Sequence, residues 1–210
     1  MINRFFNFFL SLFSLTPKTL FFIGGSLVIQ LLIGLPTTAQ AAWTLQYGLF
    51  YNTWEDDAEN YSHSRMDNSF FIGASFDRKN SLYIGPTYRL TSKSHQVGTS
   101  GTESEYSANA FGAGFLYFID KEWRWKISAT YNLSITGERT VSGTNQTIKG
   151  SGYEGSIGYQ IPLSKNIWLG GVLTYTATTI SEYKVSTTAT DVSESYTSFV
   201  PSLTLNFFIQ

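Results

Sequence analysis

No cysteine occurs in the 210 residues. Disulfides, thiolate metal sites and thiol nucleophiles are excluded, and the fold must hold without covalent staples. Charge is scarce as well: 14% of residues are ionic and the formal net charge is -1. A protein that binds phosphate backbones carries a basic surplus along one face, so the balance argues against nucleic acid as a partner. Also missing after residue 42 is any segment with the 3.6-residue period of an amphipathic helix. What is present is 42% hydrophobic residues, 17% aromatic residues and many Gly, Ser and Thr. That mixture lacks the Glu and Lys with which soluble helical proteins cover their surfaces, and it points to β-structure in one domain.

Residues 1–41 hold no acid, two bases (Arg4 and Lys18) and two apolar runs, "FFNFFLSLFSL" and "FFIGGSLVIQLLIGL", followed by "PTTAQA". The second run is shorter than the roughly 20 residues of a spanning helix. Ala39 and Ala41 supply the small residues of a cleavage site, so 1–41 reads as a signal peptide cut after Ala41, and 42–210 as the exported domain. The alternative is a retained inner-membrane anchor. Without the leader, 12 bases and 15 acids remain, a charge of about -3.

From Trp43 onward, alternating segments recur between turn residues. They are "WTLQYGLFYN", "NSFFIGASF", "SLYIGPTYRLT", "YSANAFGAGFLYF", "WRWKISATYNLSIT", "YEGSIGYQIPL", "IWLGGVLTYTAT" and "YTSFVPSLTLNFF". Eight strands result. Connections after the second, fourth and sixth are tight, whereas those after the first, third, fifth and seventh are polar stretches that read as long loops. Strict alternation of short and long predicts an all-β, eight-stranded antiparallel up-and-down barrel, with both termini at the tight-turn end and both sheet edges removed by closure. Pro86 and Pro201 fall inside strands, where a missing N–H predicts a local bulge.

Alternation alone does not say which face is wet. A soluble lipocalin-like carrier is apolar inside, and a transmembrane barrel is apolar outside. The polar face here is built of small residues, among them Ser128, Thr130, Asn132, Thr174, Thr176 and Thr204. Such groups suit the narrow interior of eight strands better than a soluble exterior, which would carry Lys and Glu. Aromatics also fall at strand ends, as membrane–water interfaces favour. Trp43, Trp123 and Trp125 lie at the tight-turn end, and Tyr51 and Trp54 near the other rim. Trp168 falls on the polar face, so either its strand bulges or its ring fills the lower interior. These features predict a transmembrane barrel.

Over nearly all of 43–210 the pattern resembles the small eight-stranded outer-membrane barrels of the OmpA and OmpX type. The ending "LTLNFFIQ" is similar to their alternating last strand, with Leu203, Leu205 and Phe207 in step. The resemblance implies the outer membrane of a Gram-negative bacterium, contact with its lipid and lipopolysaccharide, recognition by the barrel assembly machinery, and a monomer. It implies no cofactor.

With the polar face inside, Arg89, Arg124, Lys126 and Glu154 are lumen charges that need partners or water. Arg89 and Glu154 are placed to pair near the long connections. Arg124 and Lys126 lie near the tight turns, within reach of Asp77 and Gln160. Such charges either gate a narrow pore or satisfy a plugged polar core. "WEDDAEN" gathers Glu55, Asp56, Asp57 and Glu59, but without the ordered ligand spacing and Gly of a calcium loop, so it reads as a solvated acidic segment. "SHSRMD" gathers Ser62, His63, Ser64 and Asp67, residue types that a hydrolase uses, though in a connection and not on a barrel wall. No catalytic or metal site is expected. The expected role is structural or interactive, through four surface loops able to meet a surface ligand. The alternatives are a narrow channel, a lipid-modifying enzyme and a secreted carrier.

Overall fold

A computed structural model of the protein describes residues 42–56, 61–75, 79–97, 104–141 and 143–209. The segment read as a signal peptide lies outside the described residues, as do Asp57, Glu59 and Asp77. Eight strands follow one another: β1 (Trp43–Asp56), β2 (Tyr61–Ser75), β3 (Leu82–Val97), β4 (Ser104–Phe118), β5 (Trp125–Val141), β6 (Thr144–Pro162), β7 (Ile167–Val185) and β8 (Thr188–Ile209). Each pairs antiparallel with the next and β1 pairs with β8, so the sheet is a closed up-and-down barrel. Trp43 lies opposite Ile209, which puts the start and end of the barrel at the tight-turn end.

The polar segments read as long loops are largely strand. β5 and β6 are joined across residues 142–143, with Gly143 at φ +77°, and β7 and β8 across 186–187, with Ser186 at φ +55°. The strands are therefore 14 to 22 residues long rather than about ten. Thr and Tyr are good strand formers, and a two-residue turn with a left-handed residue matches the twist of the strands that it joins. The paired ribbons hide from an alternation search because their outer face is wet and their inner face only partly apolar.

Neither internal proline makes a bulge. Pro86 keeps register with Ala113 of β4. On the other side the ladder to β2 merely lapses between Phe71–Thr87 and Ala74–Ile84. Pro201 keeps register with Leu173, and the β1–β8 ladder ends at Leu49–Leu203, just short of it. A proline lacks one donor toward one neighbour, so a lapse on that side is enough and no extra residue is needed.

The bulges lie elsewhere. On β5, Leu133 has no partner on β4, because Gly112 faces Asn132 and Phe111 faces Ser134. On β7, Ser181 is the extra residue between Ile180 and Glu182 opposite Lys149–Gly150. Each shifts the phase of the alternation by one. In the half of the barrel near the tight turns, Ser128, Thr130 and Asn132 face inward while Trp125, Tyr131 and Leu133 are exposed on the outside. Beyond the bulge, Ile135 faces inward at 3% exposed and Thr136 and Glu138 face out. The polarity of the wall thus inverts along the strands. Apolar outside and polar inside give way to polar outside and apolar inside, with Ala108, Ala110, Ile135, Ile148, Ile180 and Tyr183 forming one buried cluster. Ile135, which strict alternation assigns to the same face as Ile127, belongs to this inner cluster.

Candidate functional site

The interior is stacked in layers. At the tight-turn end, aromatic rings meet across the barrel. Phe208 packs 5.0 Å from Trp123, 5.6 Å from Phe118 and 6.2 Å from Trp168, centroid to centroid, and Tyr83, Leu116 and Phe71 complete the cluster. Trp168 therefore faces inward without any bulge at that end of β7. Trp123 also belongs to this layer and not to an outer girdle. The reason is local: Asp120 accepts hydrogen bonds from the backbone N–H groups of Arg124 and Trp125, at 3.1 and 2.8 Å, and Trp123 turns left-handed at φ +58°. β5 starts only at Trp125, so the alternation begins two residues later than the sequence pattern implies.

Arg124 is displaced by the same turn. Its side chain is 49% exposed and pairs with Glu122 at 2.9 Å, outside the lumen where the pattern placed it. Trp125 stands on the outer wall 5.1 Å from Tyr159, and Trp43 is half-buried at the foot of β1. Trp54, 58% exposed near the far end of β1, falls by register on the same face as His63, with its ring 5.0 Å from that of Tyr61. The aromatic row on the outer wall toward the ribbons consists instead of Tyr131, Tyr153, Tyr175 and Phe199. Tyr131 pairs directly with Tyr153 and Tyr175 with Phe199, while Tyr153 and Tyr175 meet diagonally, with rings 6.4 Å apart for Tyr153–Tyr175 and 5.3 Å apart for Tyr175–Phe199. Tyr153, Tyr175 and Phe199 are each the last large apolar residue of their strand's outward series, and Tyr131 is followed there only by Leu133, a signal visible in sequence once the register is known.

Above the aromatic layer, Asn206 donates to Gln160 at 2.6 Å and Gln160 to the Trp123 carbonyl at 2.7 Å. Lys126 is next, 2% exposed. Its Nζ donates to Gln46 Oε1 and Thr204 Oγ1, both at 3.0 Å. The stem lies against Gly158, where a Cβ would come within 3.1 Å of Lys126 Cε and 2.6 Å of Val172 Cγ2. Gln160 is in the layer beneath, and Asp77 is outside the described residues. Ser128 and Ser156 share a hydrogen bond of 2.6 Å beside a cavity of about 60 Å³.

Arg89 and Glu154 meet at 3.1 Å, with Asn132 donating to the same carboxylate oxygen at 2.8 Å. Arg89 Nε is buried with no partner among the described residues. Above it, Asp67 accepts from Arg65 and Thr91, both at 2.6 Å, and Arg65 reaches across to Ser198 at 3.3 Å. A second cavity, about 280 Å³, opens between this polar group and the apolar cluster of the ribbons.

The Ser–His–Asp residue types do not assemble. Ser64 bonds Ser94 at 2.8 Å on the outer face, while His63 points inward to His95, 6.3 Å away ring to ring, and Asp67 is held by Arg65. Among the described residues no group of three or more acids and histidines is placed to hold a metal ion.

No protein-family model matches the chain, and no curated relative matches it in sequence. Among solved structures it is similar to the translocator domain of the autotransporter NalP from Neisseria meningitidis. The identity is 13%, over 87% of this chain and 67% of that one, with a TM-score of 0.41. The barrel assignment here rests on this chain's own ladders.

At the ribbon end of the interior, Glu194 accepts from the hydroxyls of Tyr183 and Tyr196 and lies 3.6 Å from Arg139. Those hydroxyl bonds first, and Arg139 after them, hold its carboxyl below the ordinary range. Arg139 also stacks on Tyr183, 4.1 Å from the ring centre. The group ties β5, β7 and β8 together where the wall is polar outside.

Proposed function

We propose that this chain is an integral outer-membrane barrel of the small OmpA and OmpX type. On this reading its interior is closed to solutes, and its work is structural or interactive, through four polar hairpins that project beyond the membrane. One observation carries the reading: the outward apolar side chains form a continuous belt around all eight strands. Leu45, Ile72, Ile84, Phe115, Leu133, Ile157, Leu173 and Leu203, one from each strand, are all exposed. A water-soluble monomer rarely exposes a contiguous apolar patch beyond a few hundred Å², whereas a bilayer requires such a belt. On β6 the outward series from Ile161 to Tyr153, at about 3.4 Å per residue and a tilt of about 40°, covers roughly 20 Å, near the height of an outer-membrane apolar band.

The layers support closure. The aromatic cluster, the Gln160–Asn206 pair and buried Lys126 stand in series across the interior. The hairpins continue the barrel as paired ribbons with Ser, Thr and Tyr on their surfaces, which suits recognition of a surface ligand or lipopolysaccharide better than a flexible loop does. Fractionation of cells expressing the full chain tests membrane placement, together with gel mobility before and after boiling. The expected result is recovery with outer membranes and a heat-dependent shift; recovery in the soluble periplasmic fraction would sink the reading. Planar-bilayer recording tests closure, for which no steady single-channel conductance is expected.

A further inference from the structure

The 280 Å³ cavity at the ribbon end has two unlike walls. One is apolar, made of Ala108, Ala110, Ile135, Ile148 and Ile180, all buried. The other is cationic. Four bases line the cavity, Arg65, Arg89, Lys93 and Arg139, against two acids, Asp67 and Glu154. Both acids are engaged, Asp67 by Arg65 and Thr91, and Glu154 by Arg89 and Asn132. Arg139 is matched by Gln146 and Glu194.

Two donors are left over. Lys93 Nζ lies 5.2 Å from the centre of the Tyr106 ring and pairs with no carboxylate among the described residues. Arg89 Nε is buried without a partner among the described residues. A purely apolar guest would leave these cationic donors desolvated and unpaired, at a cost that burial enlarges. A bare inorganic anion would leave the isoleucine wall against water. A guest with a charged head and an apolar body satisfies both walls. The cavity is smaller than the roughly 300–1,000 Å³ of drug-sized pockets, so the body must be compact. Beneath the cavity the Arg89–Glu154 pair and Lys126 close the interior, which makes it a cup.

We propose that this cup binds a small amphipathic anion, a carboxylate or sulfonate on a short apolar or aromatic body, with Lys93 and Arg89 receiving the head and Ile135, Ile148 and Ile180 the body. The proposal goes beyond the barrel's placement and needs only the fold described above.

The full-length chain, folded in lipid nanodiscs with ¹³C-methyl isoleucine and alanine, is titrated with 3-phenylpropionate, with the neutral 3-phenylpropanol, and with acetate. Saturable methyl shifts at Ile135, Ile148 and Ile180 are expected with phenylpropionate, at least tenfold weaker affinity with the alcohol, and none with acetate. Lys93→Gln should weaken phenylpropionate at least fivefold, while Lys149→Gln on the outer face should leave it unchanged. If Lys93→Gln does not fold, Ala108→Leu, which fills the apolar wall, should abolish the shifts. The proposal fails if phenylpropionate and the alcohol bind equally, if neither foldable variant alters the titration, or if the shifts fall instead on the lipid-facing Ile72, Ile84 and Ile157, which would mean partition into the bilayer.

Discussion

Asn132 and Ile135 are three residues apart on one strand and both face the interior, at 4% and 3% exposed. Odd spacing on a shared face is possible only because Leu133 and Ser134 are opposed by a single residue of β6. Removing Ser134 would therefore restore a regular ladder with Ile135 still inside, whereas removing Ser128 would turn every later residue of β5 to the wrong face. Deletion of Ser134 is expected to leave the heat-dependent gel shift intact and deletion of Ser128 to abolish it. Ile135→Ala should cost about 2–4 kcal/mol in urea unfolding.

The Arg89–Glu154 pair predicts an asymmetry. Glu154→Gln leaves a buried guanidinium without its counter-charge, expected to cost on the order of 3 kcal/mol. The double change Arg89→Met with Glu154→Met removes both charges and should recover most of that loss. A double-mutant cycle in urea measures the difference; simple additivity would show that the two side chains do not interact.

Lys126 differs, since its partners are neutral. Lys126→Met keeps the stem that fills the space beside Gly158 and discards a buried ammonium, while Gln46 and Thr204 remain as neutral polar groups. Unfolding midpoints should stay level or rise, by about 1 kcal/mol at most. A marked fall would mean that the charge holds the barrel together.

The Glu194 cluster predicts a pH dependence in the hairpin of β7 and β8, beyond the apolar belt. Its carboxyl is held below the ordinary value by Tyr183, Tyr196 and Arg139. The stabilisation is thus complete above the unfolded-state value of about 4.3 and disappears as pH falls through the lower folded value. Carboxyl ¹³C shifts should show Glu194 titrating below the other glutamates. Arg139→Gln should move its midpoint up, and Glu194→Gln should remove the acid-linked loosening of the hairpin.

How much of this was legible in sequence depends on where parity holds. Between Trp125 and Asn132 it is unbroken, so the inward Lys126 and the column of Ser128 and Thr130 could be read directly. Arg89 and Glu154, on strands that are not neighbours, could be paired from their inward parity and their shared height toward the long connections. Parity fails at the ends. The Asp120 turn takes Trp123 inward and Arg124 out, a capping effect with no alternation signature. Bulges at Leu133 and Ser181 flip the phase of β5 and β7 where the wall changes from lipid-like to water-like outside. The ribbons therefore look like loops, because their apolar residues are few, sit on the inner face and follow a shifted count.

The β1–β8 ladder, which stops at Leu49–Leu203, also bears on the order of folding. Seven ladders join strands adjacent in sequence and can form as hairpins, each closing a short loop. The eighth brings together residues more than 150 positions apart, so its closure entropy is the largest, and it is among the shortest in residues paired. The ring is then completed last at this line and parts first there under mechanical or denaturant stress, with Pro201 marking how far the closure can run.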